Sequence, residues 1–119
     1  MLDDSKPLFV AVAEQIEDGI LDGSYPEDGP VPSTNELAGF LRINPATAGK
    51  GLGLLVDAGV LIKRRGIGMF VAPGAREALR ERRRLAFQDQ FIAPLLREAT
   101  ALGIRPEELA RMIEKEAAR

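Results

Sequence analysis

The stretch from Ser33 to Leu55, STNELAGFLRINPATAGKGLGLL, decides the fold. Ser33 with Glu36 three residues on is a capping box, so a helix starts there. Leu37, Ala38 and Leu41 form its apolar stripe. Arg42 and Ile43 turn the chain, Asn44 supplies an N-cap, and Pro45 takes the first position of a second helix. That helix places Ala48, Leu52, Leu55 and Val56 on one face. Its other face, Ala46, Thr47, Gly49, Lys50 and Gly53, is small or polar. A capped helix, a tight turn and a second helix with such an outer face predict a helix-turn-helix, whose second helix enters a DNA major groove.

The flanking segments extend this unit. Ser5-Lys6-Pro7 opens a preceding helix with Phe9, Val12, Ala13, Ile16 and Ile20 inward and Gly23 as its end; Glu14, Glu17, Asp18 and Asp22 make a solvated outer face. Three prolines between Tyr25 and Pro32 mark a loop, with Val31 packing inward as a minimal strand. After Gly59, Val60–Arg64 and Met69–Val71 read as two strands joined by the turn 65–68. A hairpin in this place is a wing, and its cations Lys63, Arg64 and Arg65 suit phosphates.

Pro73-Gly74 breaks the chain. Residues 75–103 read as one long helix that Pro94 kinks, and Pro106 opens a last helix. Two such helices cannot bury their apolar stripes alone, so a homodimer through residues 75–119 is expected. Its interface would use Leu79, Phe87, Phe91, Leu95, Leu102, Leu109 and Ile113. The predicted architecture is mainly α with a small β-wing: a winged helix-turn-helix domain over 1–74, then a two-helix dimerisation tail over 75–119. The arginines at 80 and 82–84 read as interface and solvated helix surface.

Composition narrows the function. The chain has 119 residues with no cysteine and no histidine, which removes disulfides, thiolate nucleophiles and the common zinc sites. No metal or cofactor is expected. Carboxylates such as Asp18, Asp22, Glu27 and Asp28 lie on a helix exterior or in a loop without an accompanying base, so an enzyme is not expected. The acidic start, MLDDSKP, does not read as a signal peptide, and no apolar run suits a membrane span, so a cytoplasmic location is expected. Net charge is −2, and residues 1–74 carry −4. Most of those acids precede residue 37, whereas the cations gather beside the second helix and in the hairpin, and the local field governs nucleic-acid binding. The −4 charge also favours an alternative, a winged-helix protein-interaction module with little DNA affinity.

Several motifs in order carry a family resemblance. Pro7-Leu-Phe, Val31-Pro-Ser-Thr-Asn-Glu-Leu-Ala38, Asn44-Pro-Ala-Thr47, Leu55-Val-Asp-Ala-Gly59 and Arg65-Gly-Ile-Gly-Met-Phe-Val71 resemble the GntR class of bacterial transcriptional regulators. The tail, with Gly74-Ala-Arg-Glu and Pro94-Leu-Leu-Arg-Glu98, is similar to the YtrA subfamily. The resemblance implies a dimeric repressor on a two-fold symmetric double-stranded DNA operator, often of transporter genes. It leaves room for a small-molecule effector at the tail, although the 45 residues after the wing are too few for the usual effector domain. By the same resemblance, Ser33 and Thr34 would meet phosphates, Thr47 and Lys50 the groove, and Gly66 and Gly68 the wing contact. Asn35, Asn44, Ala46, Arg64 and Arg65 complete the expected DNA-binding set. Many class members have arginine where Asn35, Pro45 and Gly49 stand here, so fewer ionic contacts are expected.

Overall fold

The computed structural model describes residues 6–119. The helix start expected at Ser5 and the acidic residues before it lie outside the described residues. The element order is α1 (Leu8–Leu21), β1 (Pro30–Val31), α2 (Thr34–Leu41), α3 (Pro45–Asp57), β2 (Leu61–Arg64), β3 (Gly68–Val71), α4 (Ala75–Phe87), α5 (Ala93–Ala101) and α6 (Pro106–Ala117). A π-helical turn, Gln88–Ile92, lies between α4 and α5. No helix among the described residues is long and apolar enough to cross a membrane. The chain divides into two compact units, one running through Arg80 and one from Glu81 to Arg119.

In the first unit, α1 lies against α3, and α2 packs on α3. Val12, Ile16 and Ile20 from α1, Leu37 from α2 and Leu52 and Leu55 from α3 share one core. The three strands form an antiparallel sheet in the order β1-β3-β2. Val31 pairs with Met69, and Leu61 with Val71. Leu61, Val71 and Val31 are buried against the helices, so the sheet closes one side of this core.

The end of this unit differs from the expected boundary at residue 74. Ala75 and Leu79, from the start of α4, are 4% and 1% exposed and belong to the same core. The Arg76 Nε donates to the Leu21 carbonyl at 3.1 Å, tying α4 to the end of α1. Leu79 is therefore not a residue of the expected dimer face. The apolar spacing in α4 is right, but its first turn serves the core before it.

The second unit departs from one kinked helix over 75–103. The backbone widens into the π-helical turn just before Pro94, which occupies the first turn of α5. Proline lacks an N–H and its ring crowds the carbonyl four residues back, and a wider turn relieves both constraints. The Ala93 N–H correspondingly bonds to the carbonyl of Gln88, five residues back. Ala99 and Leu109 are buried where α5 and α6 meet. Leu109, expected at the dimer face, is thus turned inward. Phe87, Phe91, Leu95, Leu102 and Ile113 are exposed, and the ring centres of Phe87 and Phe91 lie 5.6 Å apart with the planes tilted by 35°.

Local signals account for the helix starts. The Ser33 hydroxyl accepts from the Glu36 N–H at 3.1 Å, and the Glu36 carboxylate accepts from the Ser33 N–H at 2.9 Å. The Ser33 N–H, with its hydroxyl second, holds the Glu36 carboxyl below its ordinary titration range. Asn44 caps α3 by accepting from the Ala46 N–H at 2.8 Å. Arg42 ends α2 in the left-handed region at φ 58°. Its N–H and that of Ile43 both reach the Ala38 carbonyl, the bond pattern that closes a helix on a left-handed residue.

The glycines of α3 have separate roles. A Cβ on Gly51 would stand 2.8 Å from Val12 Cγ1 and 2.9 Å from the Phe9 carbonyl oxygen, so α1 and α3 cross in contact there. A Cβ on Gly53 would meet nothing within 4 Å. Gly51→Ala should therefore destabilise the protein by about 1–3 kcal/mol, because overpacking against main chain outweighs the helix-propensity gain. Gly53→Ala should raise stability by up to about 1 kcal/mol. Urea unfolding of both variants checks this, and equal effects at the two positions would contradict it.

The cap makes a second expectation about pH. Because folding lowers the Glu36 titration point, its contribution is full above the ordinary carboxylate range and is lost as pH falls through the depressed folded value. The stability gap between wild type and Glu36→Gln should hold from neutral pH to about pH 5 and shrink below it. Unfolding curves at neutral and acidic pH measure the gap; one that persists unchanged under acid would refute the charge-assisted cap.

Candidate nucleic-acid interface

The capped start of α2 and the wing face each other across a groove of about 360 Å³. Ser33, Thr34 and Asn35 form one wall. Lys63, Arg64, Gly66, Ile67, Gly68 and Met69 form the other. The register explains the second wall. Lys63 pairs with Met69 and Arg64 with Gly68, and the Ile67 N–H closes the turn on the Arg64 carbonyl at 2.9 Å. Gly66 and Gly68 have φ of 77° and 142°, which let this hairpin reverse without strain. Arg65 is exposed at its tip and does not line the groove.

Helix α3 stands beside this groove. A Cβ on Gly49 would touch Thr34 Cγ2 at 3.4 Å, so the α2 start borders that side of α3. Phe9 and Val12 of α1 border the other side at Gly51. Between them α3 turns Pro45, Ala46, Lys50 and Leu54 outward, while Ala48, Gly51, Leu52 and Leu55 are buried. Thr47 is half-buried, and Asn44 is exposed with its side-chain oxygen engaged in the cap.

Apart from Arg65 at the hairpin tip, the expected DNA-binding residues thus fall into two neighbouring groups. Ser33, Thr34, Asn35, Arg64, Gly66 and Gly68 share the groove. Asn44, Ala46, Thr47 and Lys50 belong to the first half of α3 and its cap. Lys63, read from the sequence as a wing cation, lines the groove too. Its position two residues from Leu61, on the side of the sheet turned toward the helices, is the sequence signal for it.

The chemistry of this surface suits an anionic polymer. First-turn N–H groups of a helix start, such as those of Thr34 and Asn35, have no partner within their own helix and point from its positive end. Lys63 and Arg64 face them across the groove. Two of the exposed cations lie over rings. The Lys50 Nζ is 4.0 Å from the centre of the Phe9 ring, and the Arg64 guanidinium carbon 4.4 Å from that of Phe70. In the sequence, Phe9 reads as a core residue alone.

Comparison with known proteins agrees with this geometry. The pattern of the gntR family of bacterial regulatory proteins matches residues 8–71, from the start of α1 to the end of the wing. The histidine utilization repressor of Pseudomonas putida is 38% identical over 76 residues, 63% of this chain and 31% of that protein. The chain therefore spans about a third of the length of that relative. The HTH-type transcriptional repressor YtrA of Bacillus subtilis is 26% identical over 111 residues, 93% of this chain and 85% of that protein. A crystal structure of a GntR-family transcriptional regulator from Bacteroides thetaiotaomicron superposes with a TM-score of 0.72 at 32% identity, covering 93% of this chain and 97% of that one. With the winged helix-turn-helix already in view, these matches show that the chain belongs to the GntR family of bacterial regulatory proteins.

Proposed function

We propose that this protein is a cytoplasmic, sequence-specific DNA-binding transcriptional regulator without catalytic activity, and that it represses as a homodimer on a two-fold symmetric operator. The observation that carries the reading is the shared groove of the α2 start and the basic wing, set beside the exposed first half of α3. On this reading α3 enters the major groove. The Ser33 hydroxyl, the Thr34 and Asn35 N–H groups, Lys63 and Arg64 take backbone phosphates. Base readout falls to Thr47 and the Asn44 amide, with Ala46 presenting a methyl to thymine. Two of the relatives are repressors by name, the histidine utilization repressor and YtrA, and repression is carried over from those names.

The second copy follows from the tail. Phe87, Phe91, Leu95, Leu102 and Ile113 are between 40% and 65% exposed, a large apolar area for a helical unit of this size. A partner tail would cover it and would set the two recognition helices about 34 Å apart, one DNA turn. A small-molecule effector, if this regulator uses one, would act by changing that spacing.

The test is a gel shift with the DNA upstream of the protein's own gene, against scrambled DNA, across a salt series. Tight, competitor-resistant binding is expected. With four exposed cations per protomer at the interface (Lys50, Lys63, Arg64 and Arg65), the slope of log K on log salt should be no steeper than about −7 for a dimer. Thr47→Ala should cost about 1–3 kcal/mol on the operator alone, whereas Arg65→Ala should weaken all DNA evenly. Weak binding, equal on both DNAs, would favour the protein-interaction alternative.

Phe91→Asp should give monomers in sedimentation and lose operator affinity. An unaltered sedimentation coefficient would remove the tail from the interface.

A further inference from the structure

Four cations stand at the proposed DNA surface, but two of them are held. Lys50 leans from α3 toward α1, its ammonium 4.0 Å from the Phe9 ring centre. Arg64 lies over Phe70 at 4.4 Å, across the β2–β3 ladder and next to its own register partner Gly68. The two pairs occupy opposite sides of α3. Phe9 belongs to the α1 side, where Gly51 meets that helix, and Arg64 lines the groove shared with the α2 start. A ring face attracts a cation on one side and leaves its other N–H groups free to donate. A lysine or arginine otherwise loses much rotamer freedom when it is fixed on a ligand.

We infer that Phe9 and Phe70 are positioning residues, which preset Lys50 and Arg64 as a pair of backbone-phosphate clamps flanking the recognition helix. The inference rests on the DNA-binding reading above and assigns Lys50 to phosphate instead of a base edge. Three features support that assignment. Lys50 is drawn toward α1, whereas the start of α3 is the part that meets base edges in such units. Its ring partner lies on another helix, so the lysine is anchored at the margin of the surface. The wing repeats the arrangement with a different cation and a different ring. This deepens the sequence-based expectation, in which Lys50 faced the groove and Phe9 only the core.

The experiment is fluorescence anisotropy of the full chain on operator and on random DNA, each across a salt series. Lys50→Ala should lower affinity for both DNAs by the same factor and reduce the salt slope by about one per protomer. Phe9→Leu, which keeps an apolar side chain but removes the ring face, should weaken both about two- to tenfold, the cost of ordering one long side chain. Phe9→Tyr should restore binding, and Phe9→Leu should cost nothing further in the Lys50→Ala background. Phe70→Leu and Arg64→Ala should behave alike in the wing, away from the α1–α3 packing, so a Phe9 variant that folds poorly leaves that pair as the arbiter.

Additive losses in the double variant, wild-type affinity in Phe9→Leu, or a Lys50→Ala loss confined to the operator would overturn the assignment. If wild-type protein prefers its operator while the variants show those patterns, only the clamp assignment falls. If wild-type protein binds no DNA, the DNA-binding reading falls and takes the assignment with it.

Discussion

The contact between α1 and α3 at Gly51 is the constraint on which the rest of the first unit depends. A residue with a side chain there would overlap Val12 and the carbonyl of Phe9, so the two helices would have to separate. Their approach buries Val12, Ile16, Leu52 and Leu55 together, each 3% exposed or less. It also fixes how α3 is rotated about its own axis. With Gly51, Leu52 and Leu55 committed inward, the 100° step per residue turns Ala46, Lys50 and Leu54 outward. The outer face of α3 is thus a consequence of a single glycine and two leucines on the hidden side.

The helix boundaries were legible because they depend on neighbours in sequence. Ser33 and Glu36 cap each other across three residues, and Asn44 with Pro45 starts α3 within two. Strand pairing was legible for a similar reason, since Val60–Arg64 and Met69–Val71 are joined by a short glycine-bearing turn. The tail was less so. Apolar spacing shows that Leu79, Leu109 and Phe91 each face something, but it does not say whether that is their own unit or another molecule. Leu79 fills the core before it and Leu109 the α5–α6 contact, whereas Phe91 remains exposed. Burial is a long-range property, and periodicity reports only the direction in which a side chain points.

The candidate site shows the same division. Ser33, Thr34, Asn35, Arg64, Gly66 and Gly68 were expected at the interface, and the fold gathers them around one groove. Lys63 was expected among the wing cations, whereas Phe9 was not expected there. Lys63 requires the strand register, which sets it beside Met69 on the side of the sheet turned toward α2. Phe9 requires the distance between two helices that are 41 residues apart in sequence at the Phe9–Lys50 pair. A stripe such as Phe9, Val12 and Ile16 reads as core, and no local rule separates its edge residue, which meets a cation, from its centre.

Electrostatics explains how an acidic chain can present such a surface. Residues 1–74 carry −4, yet nine of their ten acids precede residue 37. Of the described ones, Glu36 is engaged in the cap, where its charge complements the start of α2. Of their six cations all but Lys6 lie later, at Arg42, at Lys50 and from Lys63 to Arg65. The separation within about 8 Å of screened solution matters more to an approaching phosphate than the total does. It also bears on the positions where other family members have arginine. Gly49 stands against Thr34 and Pro45 begins α3, so neither position carries a cation beside the α2 start. Without it, fewer charges share the surface, and on the proposed reading the order that a ring imposes on Lys50 and on Arg64 contributes more to binding. In this chain the rings over Lys50 and Arg64 do that work in place of number.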